Sequence, residues 1–385
     1  MSTILEGPVV FPHCIRRAQV SVSGDRITGL ATDEREFAAP DRRLTDELLI
    51  APGFIDIQIN GGFGKEFNTD LDALAMVARE VVRFGTTAFC PTITTAPLER
   101  YASHARGMLA GGLDAACARF LGFHFEGPAL SAKRVGAHNP TLLKLPSDLI
   151  TDEYLGSVPL RIVTFAPELA RARELIEELR RRGIRVGVGH SVASHDELAA
   201  VFDAEMMIVV HLLNAMEPIT AREPGIAGFA LANPECVISV IPDGIHTHPA
   251  TLKAIWNAKT DKTKIVVISD GTAVTGLPLG AYAIGDRTIY REPDRSTLPG
   301  GTLVGSVMTL DQAVRNLIRF TGCTVSEAIS TVTINPATFL GLEDDVGRVA
   351  VGCKADLVVL DRELRVRETY VGGNRCYESD GQPSS

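Results

Sequence analysis

Short apolar runs alternate with amphipathic stretches along the chain from about residue 50 onward. Apolar runs bounded by turn residues predict buried strands, and stretches such as 70–84 and 169–182 have the periodicity of surface helices. Eight strand and helix units in one chain favour a closed (β/α)8 barrel over an open sheet. The eight predicted strands lie in LLIAPGFIDIQIN, TTAFCPTI, ARFLGFHFEGP, LRIVTFAPE, IRVGVGHS, MMIVVHLLNA, CVISVIPDG and KIVVISDGT.

The two ends of the chain have a different pattern. AQVSVSGDRITGL near the N-terminus and ADLVVLDRELRVRETYVGGNRC in the tail read as short antiparallel strands separated by turns. We therefore predict an α/β protein with a (β/α)8 TIM-like barrel over 51–347 and a small β-sandwich domain built from 1–50 plus 348–385. TVSEAISTVTINPATFLGL is the last helical region before the tail, and the SDGQPSS end is expected to fray.

Composition narrows the class of protein. The 385 residues are 45% hydrophobic and carry a net charge of -9, as expected for a globular chain with a large core. Nucleic acid is not an expected partner, because no basic run is interleaved with aromatic residues. No secretory signal and no apolar run long enough for a membrane span is visible, so we expect a cytoplasmic protein. The seven cysteines show no C-x-x-C spacing, which argues against a disulfide framework.

Polar residues gather at the C-terminal ends of the predicted barrel strands, where active sites of such barrels form. Strand alternation places His124 and Glu126 on one face, and a carboxylate ending an apolar strand is costly to bury without a cation. His190 and His211 stand at equivalent ends of strands five and six. Together Glu126, His190 and His211 predict a three-ligand site with an open position for water, as in catalytic zinc sites. Each residue alone is also compatible with a cap, a salt bridge or a hydrogen-bonded rim position.

Four further segments suggest chemistry around that site. Asp270 ends strand eight, where it can accept a proton from metal-activated water and return it to a leaving group; a helix N-cap and a metal ligand are the alternatives. His138 can polarise a carbonyl or anchor its loop. Arg222 and His246 lie in rim loops that can hold a phosphate, with a surface salt bridge as the alternative for Arg222.

The ordered segments PGFIDIQINGGFG, HFEGPAL, GAHNP, GHS, HLLNAMEP, REPG, DGIHTHP and ISDGT resemble the N-acetylglucosamine-6-phosphate deacetylase family of the amidohydrolase superfamily. The resemblance covers nearly the whole chain. It implies a barrel with a β-sandwich, usually a homodimer, that hydrolyses N-acetyl-D-glucosamine 6-phosphate to D-glucosamine 6-phosphate and acetate. The expected partner is thus a small amino sugar phosphate, with no nucleic acid or membrane.

The resemblance also assigns residues by motif. It makes Glu126, His190 and His211 the metal ligands and Asp270 the catalytic base and acid. His138 would contact the acetyl carbonyl, and Arg222 and His246 would bind the phosphate in a pocket partly supplied by the neighbouring subunit. The implied substrate-binding residues are His138, Asn214, Ala215, Arg222 and His246.

Strand one carries the positions where superfamily members with a His-x-His pair hold a second metal, often with a carboxylated Lys on strand four. Here that pair is Gln58 and Asn60, and strand four ends with Glu168. Neutral amides are weak zinc ligands, so we predict one divalent ion per subunit, Zn2+, with Fe2+ or another divalent ion as the alternative. Asp56 on the same strand face is expected to have a buried hydrogen-bonding role.

Two other functions are compatible with these residues. One is a deacetylase of another N-acyl amino sugar phosphate, such as N-acetylgalactosamine 6-phosphate. The other is a non-catalytic sugar-phosphate-binding protein, which the presence of all three ligand candidates and Asp270 disfavours.

Overall fold

A computed structural model describes residues 2–114, 117–156 and 158–379. Strands and helices are numbered here in chain order. The strands are β1 Ser2–Phe11, β2 Cys14–Ser23, β3 Arg26–Ala31, β4 Arg42–Arg43, β5 Leu49–Pro52, β6 Phe54–Ile59, β7 Gly61–Gly62, β8 Lys65–Glu66, β9 Thr86–Ile93, β10 Arg119–Phe120, β11 Phe123–Glu126, β12 Leu160–Phe165, β13 Arg185–Val188, β14 Met207–Val209, β15 Val237–Val240, β16 Ile265–Val267, β17 Gly280–Ile284, β18 Arg287–Arg291, β19 Ser296–Thr297, β20 Leu357–Leu360, β21 Val366–Val371 and β22 Asn374–Glu378. The α-helices are α1 Ala73–Glu80, α2 Leu98–Ala110, α3 Asp152–Leu155, α4 Ala172–Arg182, α5 His195–Ala199, α6 Gly225–Ala232, α7 Pro249–Ala258, α8 Leu310–Thr321, α9 Val325–Thr331 and α10 Ile334–Leu340.

Eight parallel strands form the barrel, and each of the eight predicted apolar runs contains one of them. The order is β6, β9, β11, β12, β13, β14, β15 and β16, with β10 pairing at the start of β9. The ring closes between the end of β6 and the segment just beyond β16, where Asp270 N donates to Gln58 O at 2.9 Å and Asn60 N donates to Gly271 O at 2.7 Å. This seam brings the end of strand eight against the end of strand one.

Both chain ends contribute to a second domain with its own sheet. Its strands lie in the order β22, β21, β20, β5, β1, β2, β3, with β4 paired to β1. Its apolar core, which includes Val20, Ile50 and Val359, is separate from the barrel core. The predicted barrel with a β domain from both ends is therefore confirmed, while the boundaries at 50 and 348 stay predictions.

The apolar run LLIAPGFIDIQIN is two strands and not one. β5 belongs to the end domain and β6 to the barrel, and Gly53 separates them. A Cβ on Gly53 would lie 2.0 Å from Thr87 Oγ1, so only glycine fits this close approach between β6 and β9. The chain thus passes from one domain to the other without a linker.

Other parts differ from the expectation in detail. The last helical region is two helices, α9 and α10, and segment 280–297 forms an unpredicted antiparallel sheet of β17, β18 and β19. Beyond Ser379, the SDGQPSS end lies outside the described residues. In the described part of the chain, no helix combines the length and the apolar character needed to cross a membrane.

Candidate active site

Glu126 stands at the centre of a polar cluster at the C-terminal mouth of the barrel. Its Oε1 lies 3.3 Å from His190 Nε2 and 3.1 Å from His211 Nε2, and all three side chains are buried. Burial alone would raise the pKa of Glu126, but the neighbouring His190 and His211 outweigh it and hold this pKa well below its usual range. One carboxylate and two imidazoles that meet at one point form a donor set suited to a divalent metal.

The backbone at the strand ends is strained where these side chains turn inward. The φ angles of His190, His211 and Asp270 are 48°, 33° and 48°, in the left-handed region that non-glycine residues rarely adopt. Each such residue costs about 1–3 kcal/mol, and such strain clusters at active sites. All three were predicted site residues, each placed just after its strand.

The rings of His190 and His211 differ in the partner of their Nδ1 atom. His190 Nδ1 lies 3.0 Å from the carbonyl oxygen of Arg134, so this nitrogen donates and Nε2 keeps its lone pair for a ligand. His211 Nδ1 is buried and has no hydrogen-bond partner among the described residues. Burial alone would lower the pKa of His211, but the hydrogen bond to Glu126 and its charge raise it.

His138 approaches the same carboxylate from the loop after β11. Its Nε2 lies 3.8 Å from Glu126 Oε2, and its Nδ1 lies 2.7 Å from Thr95 Oγ1 and 3.3 Å from Thr95 N. Because a backbone N–H can only donate, Nδ1 accepts and Nε2 carries the proton of the neutral ring. Burial, followed by the neighbouring His190, lowers the pKa of His138 to about 3, which keeps the ring neutral.

Distance alone does not select the third metal ligand. Glu126, His138 and His190 offer ligand atoms that all lie within 4.8 Å of one another, whereas the sequence prediction names His211 in place of His138. Both sets share Glu126 and His190. The choice of His211 as the third ligand therefore stays a prediction.

Gln58 and Asn60 donate hydrogen bonds into this cluster. Gln58 Nε2 lies 3.1 Å from Glu126 Oε1 and 3.5 Å from Asp270 Oδ1, and Asn60 Nδ2 lies 2.8 Å from Asp270 Oδ1. Burial, and then the charge of Glu126, raise the pKa of Asp270. A carboxylate with a raised pKa is suited to both accepting and donating a proton. The chain after Asp270 enters a turn rather than a helix, so the N-cap alternative does not apply.

Two buried residues of the barrel interior have structural roles. Asp56 accepts hydrogen bonds from Gln58 N and Ser269 N, each at 3.3 Å, and so ties strand one to strand eight at the seam. Burial raises the pKa of Asp56 to about 7. His124 lies two residues before Glu126 on β11, and its Nε2 is 2.7 Å from Thr164 Oγ1. Burial lowers the pKa of His124 to about 4.

A cavity of 210 Å³ opens above the cluster. His246 lines it and is held by Asp243, with Nδ1 2.6 Å from Oδ2. Arg222 is exposed in the loop after β14 and does not line the cavity of its own chain. The predicted residues that line it are Asn60, Glu126, His138, His190, His211, Asn214, Ala215, His246 and Asp270.

Other polar strand-end residues hold loops. Glu168 accepts from Ser191 Oγ at 2.7 Å and from Val192 N at 2.9 Å, and so fixes the chain directly after His190. His248 caps α7 by accepting from Ala250 N.

Several lining residues were not predicted, among them Glu66, Arg287 and segment 303–305. The alternating run AYAIGDRTIY around a Gly-Asp turn is a hairpin signal that could have located β17 and β18. No local pattern indicates that this hairpin folds back over the barrel mouth.

These features are those of a metal-dependent hydrolase site in a barrel, and comparisons with known proteins agree with this class. The chain belongs to the amidohydrolase family, whose model matches residues 49–376. It is 36% identical to the human N-acetylglucosamine-6-phosphate deacetylase, with 94% of this chain and 92% of that protein covered. It is 32% identical to an N-acetylgalactosamine-6-phosphate deacetylase of Escherichia coli O157:H7, with 85% and 88% covered.

A solved structure adds a bound ligand to this comparison. A variant of the Mycobacterium smegmatis N-acetyl-D-glucosamine-6-phosphate deacetylase in complex with N-acetyl-D-glucosamine-6-phosphate matches with a TM-score of 0.87 and 30% identity. The match covers 97% of this chain and 99% of that one. The similarity therefore extends over both the barrel and the end domain.

Proposed function

We propose that this chain hydrolyses the acetamide of N-acetyl-D-glucosamine 6-phosphate to D-glucosamine 6-phosphate and acetate. The observation that carries the proposal is the cavity in which Asp270, His138 and the Glu126 cluster meet. An amide resists hydrolysis because water is a weak nucleophile and an amine anion is a poor leaving group. In this cavity Asp270 can act as a base, His138 can donate a hydrogen bond to the carbonyl oxygen, and the Glu126 cluster can hold a metal ion. Together these groups address both difficulties.

Glu126, His190 and His211 are the proposed ligands of one divalent ion, Zn2+ or, as the alternative, Fe2+. The fit rests on the free Nε2 lone pair of His190 and on the short approach of His211 to the carboxylate. When bound, such an ion supplies Lewis-acid activation of the attacking water and of the carbonyl. Gln58 and Asn60 point amide N–H groups at the carboxylates, so hydrogen-bond donors stand where a second metal would need lone pairs.

Three side chains have separate roles in the proposed reaction. Asp270 takes a proton from the attacking water and delivers it to the departing sugar nitrogen. Asn60 holds the Oδ1 oxygen of Asp270 in place during both transfers. His138 donates its Nε2 proton as a hydrogen bond to the acetyl oxygen, which stabilises the negative charge that develops there.

The substrate is proposed to lie between the cluster and the rim. Asn214, Ala215 and His246 line the cavity and would contact the sugar phosphate. Arg222 is exposed outside this cavity, which supports a homodimer in which Arg222 of one subunit completes the phosphate pocket of the other. We further propose a cytoplasmic enzyme whose barrel, 51–347, carries the chemistry, with 1–50 plus 348–385 as the end domain.

An acetate-release assay on a panel of N-acetyl amino sugars, with and without 6-phosphate, tests the proposal on protein of measured metal content. We expect the fastest turnover with N-acetyl-D-glucosamine 6-phosphate and its loss on chelation. Asp270→Asn should retain the metal and lose turnover. Absence of acetate, or equal turnover of the unphosphorylated sugar, would contradict the proposal.

N-Acetyl-D-galactosamine 6-phosphate is the second candidate substrate, and the similarity to the E. coli deacetylase named for it is the observation in its favour. The two sugars differ only at the C4 hydroxyl. The same panel separates them by their values of kcat/KM.

A further inference from the structure

We propose that Glu66 and Arg287 form hydrogen bonds with the ring hydroxyls of the substrate. These bonds would determine whether the enzyme prefers the gluco or the galacto epimer. The inference rests on the proposed function, since it assumes an amino sugar phosphate in the cavity. Neither residue has a part in the chemistry described above. Both line the cavity together with His138 and Asp270.

Arg287 reaches the cavity from the unpredicted sheet. It is the first residue of β18 and pairs with Ile284 across a two-residue turn, in which Gly285 has a φ of 57°. The tip of this hairpin packs on the segment after β8, where a Cβ on Gly285 would lie 3.0 Å from Thr69 Cγ2. Arg287 also forms an ion pair with Glu66 at the end of β8. The hairpin is thus tethered at the barrel mouth and not free in solvent.

The pair leaves polar groups available for a ligand. In the described part of the chain, Arg287 donates a single hydrogen bond, from NH2 to Glu66 Oε1, so its other guanidinium N–H groups remain available. Glu66 Oε2 likewise accepts no hydrogen bond from the described residues. The side chain of Glu66 is 9% exposed and that of Arg287 is 31% exposed. One wall of the cavity therefore offers a hydrogen-bond acceptor, Glu66 Oε2, beside hydrogen-bond donors of Arg287.

Charge favours hydroxyls over phosphate as the groups this wall binds. The ion pair has no net charge, and the carboxylate of Glu66 would repel a phosphate dianion. A sugar hydroxyl can donate to Glu66 Oε2 while a neighbouring one accepts from Arg287. With the C2 acetamide held between His138 and Asp270, the C1 and C3 hydroxyls flank it on the ring and the C4 hydroxyl follows C3; the proposal places this wall on the C3 and C4 side. The orientation of the C4 hydroxyl is what distinguishes the two epimers.

The test measures kcat/KM for both phosphorylated epimers in wild type, Arg287→Leu and Glu66→Gln. The matched control is Arg295→Ala, because Arg295 lies between β18 and β19, pairs with Asp294 and is outside the cavity. Loss of a hydrogen bond to a charged group should lower kcat/KM for the preferred epimer by about 10- to 100-fold. The ratio between the epimers should move towards one by about tenfold or more, while the control keeps both values.

Three outcomes would overturn the proposal. In the first, the epimer ratio stays unchanged in both variants while wild type is active, which leaves the proposed function standing. In the second, both phosphorylated epimers lose activity equally and the unphosphorylated sugar does not, which assigns Arg287 to the phosphate. In the third, wild type releases no acetate from either epimer, which contradicts the proposed function as well. If Arg287→Leu does not fold, Glu66→Gln and Arg287→Lys carry the same comparison.

Discussion

Replacing Asn60 by leucine tests whether an amide holds the catalytic base. Asn60 Nδ2 donates to Asp270 Oδ1 at 2.8 Å, and leucine has nearly the same shape without the donor. A hydrogen bond to a charged group contributes about 1.5–3 kcal/mol, which corresponds to a factor of about 10–150. Because Asn60 is half-buried and water can replace part of this bond, we expect kcat to fall by about 10- to 100-fold.

The assay follows acetate release at saturating and limiting substrate, together with metal content. We expect kcat and kcat/KM to fall together, because Asn60 acts through Asp270 while the proton moves. The metal should stay bound, since the Asn60 side chain hydrogen-bonds to Asp270 and to none of the proposed ligands. Gln58→Leu is the matched contrast, because Gln58 also donates to Glu126 and its loss should weaken metal binding too. Asn60→Leu with kcat within twofold of wild type would refute the role of the amide.

Three more predictions follow from other parts of the structure. Mixing Asp270→Asn subunits with Arg222→Ala subunits should restore activity, because one mixed site then has both residues; no recovery would show that Arg222 acts within its own chain. Burial alone would raise the pKa of Glu368, but hydrogen bonds from Arg42 and Tyr370 outweigh it and lower this pKa. The carboxylate therefore stabilises the fold at pH values above the pKa that Glu368 has in the unfolded chain. This contribution should be lost as the pH falls through the folded pKa, and Glu368→Gln should flatten the acid side of a plot of Tm against pH, whereas an unchanged plot would contradict this. Gly53→Ala should lower the free energy of unfolding by about 1–3 kcal/mol in denaturant titration, because its Cβ meets Thr87 at 2.0 Å; wild-type stability would refute this fit.

The strand pattern predicted most of the barrel and its chemical centre, for a physical reason. Parallel strands buried on both faces are short apolar runs, and their C-terminal ends meet at one mouth. Residues that end such runs, as Glu126, His190, His211 and Asp270 do, are therefore neighbours in space although far apart in sequence. Their contacts in the structure follow from that rule.

What the sequence did not reveal depends on contacts between distant segments. Pro52 and Gly53 mark a possible break in the apolar run, but the need for glycine there depends on Thr87 of the next barrel strand, which the run does not show. Arg287 lies in a hairpin whose alternation is local, but whose position over the cavity depends on its ion pair with Glu66. The tautomer of His138 depends on its contact with Thr95 N, which only coordinates can show.

A metal titration tests the central claim most directly. Protein stripped of metal is supplied with increasing amounts of Zn2+ or Fe2+, and acetate release from N-acetyl-D-glucosamine 6-phosphate is measured at each step. The account predicts that activity rises linearly and stops at one ion per chain, since Glu126, His190 and His211 form one site and Gln58 and Asn60 offer no second. A rise that continues to two ions per chain, or no acetate at any metal content, would contradict it.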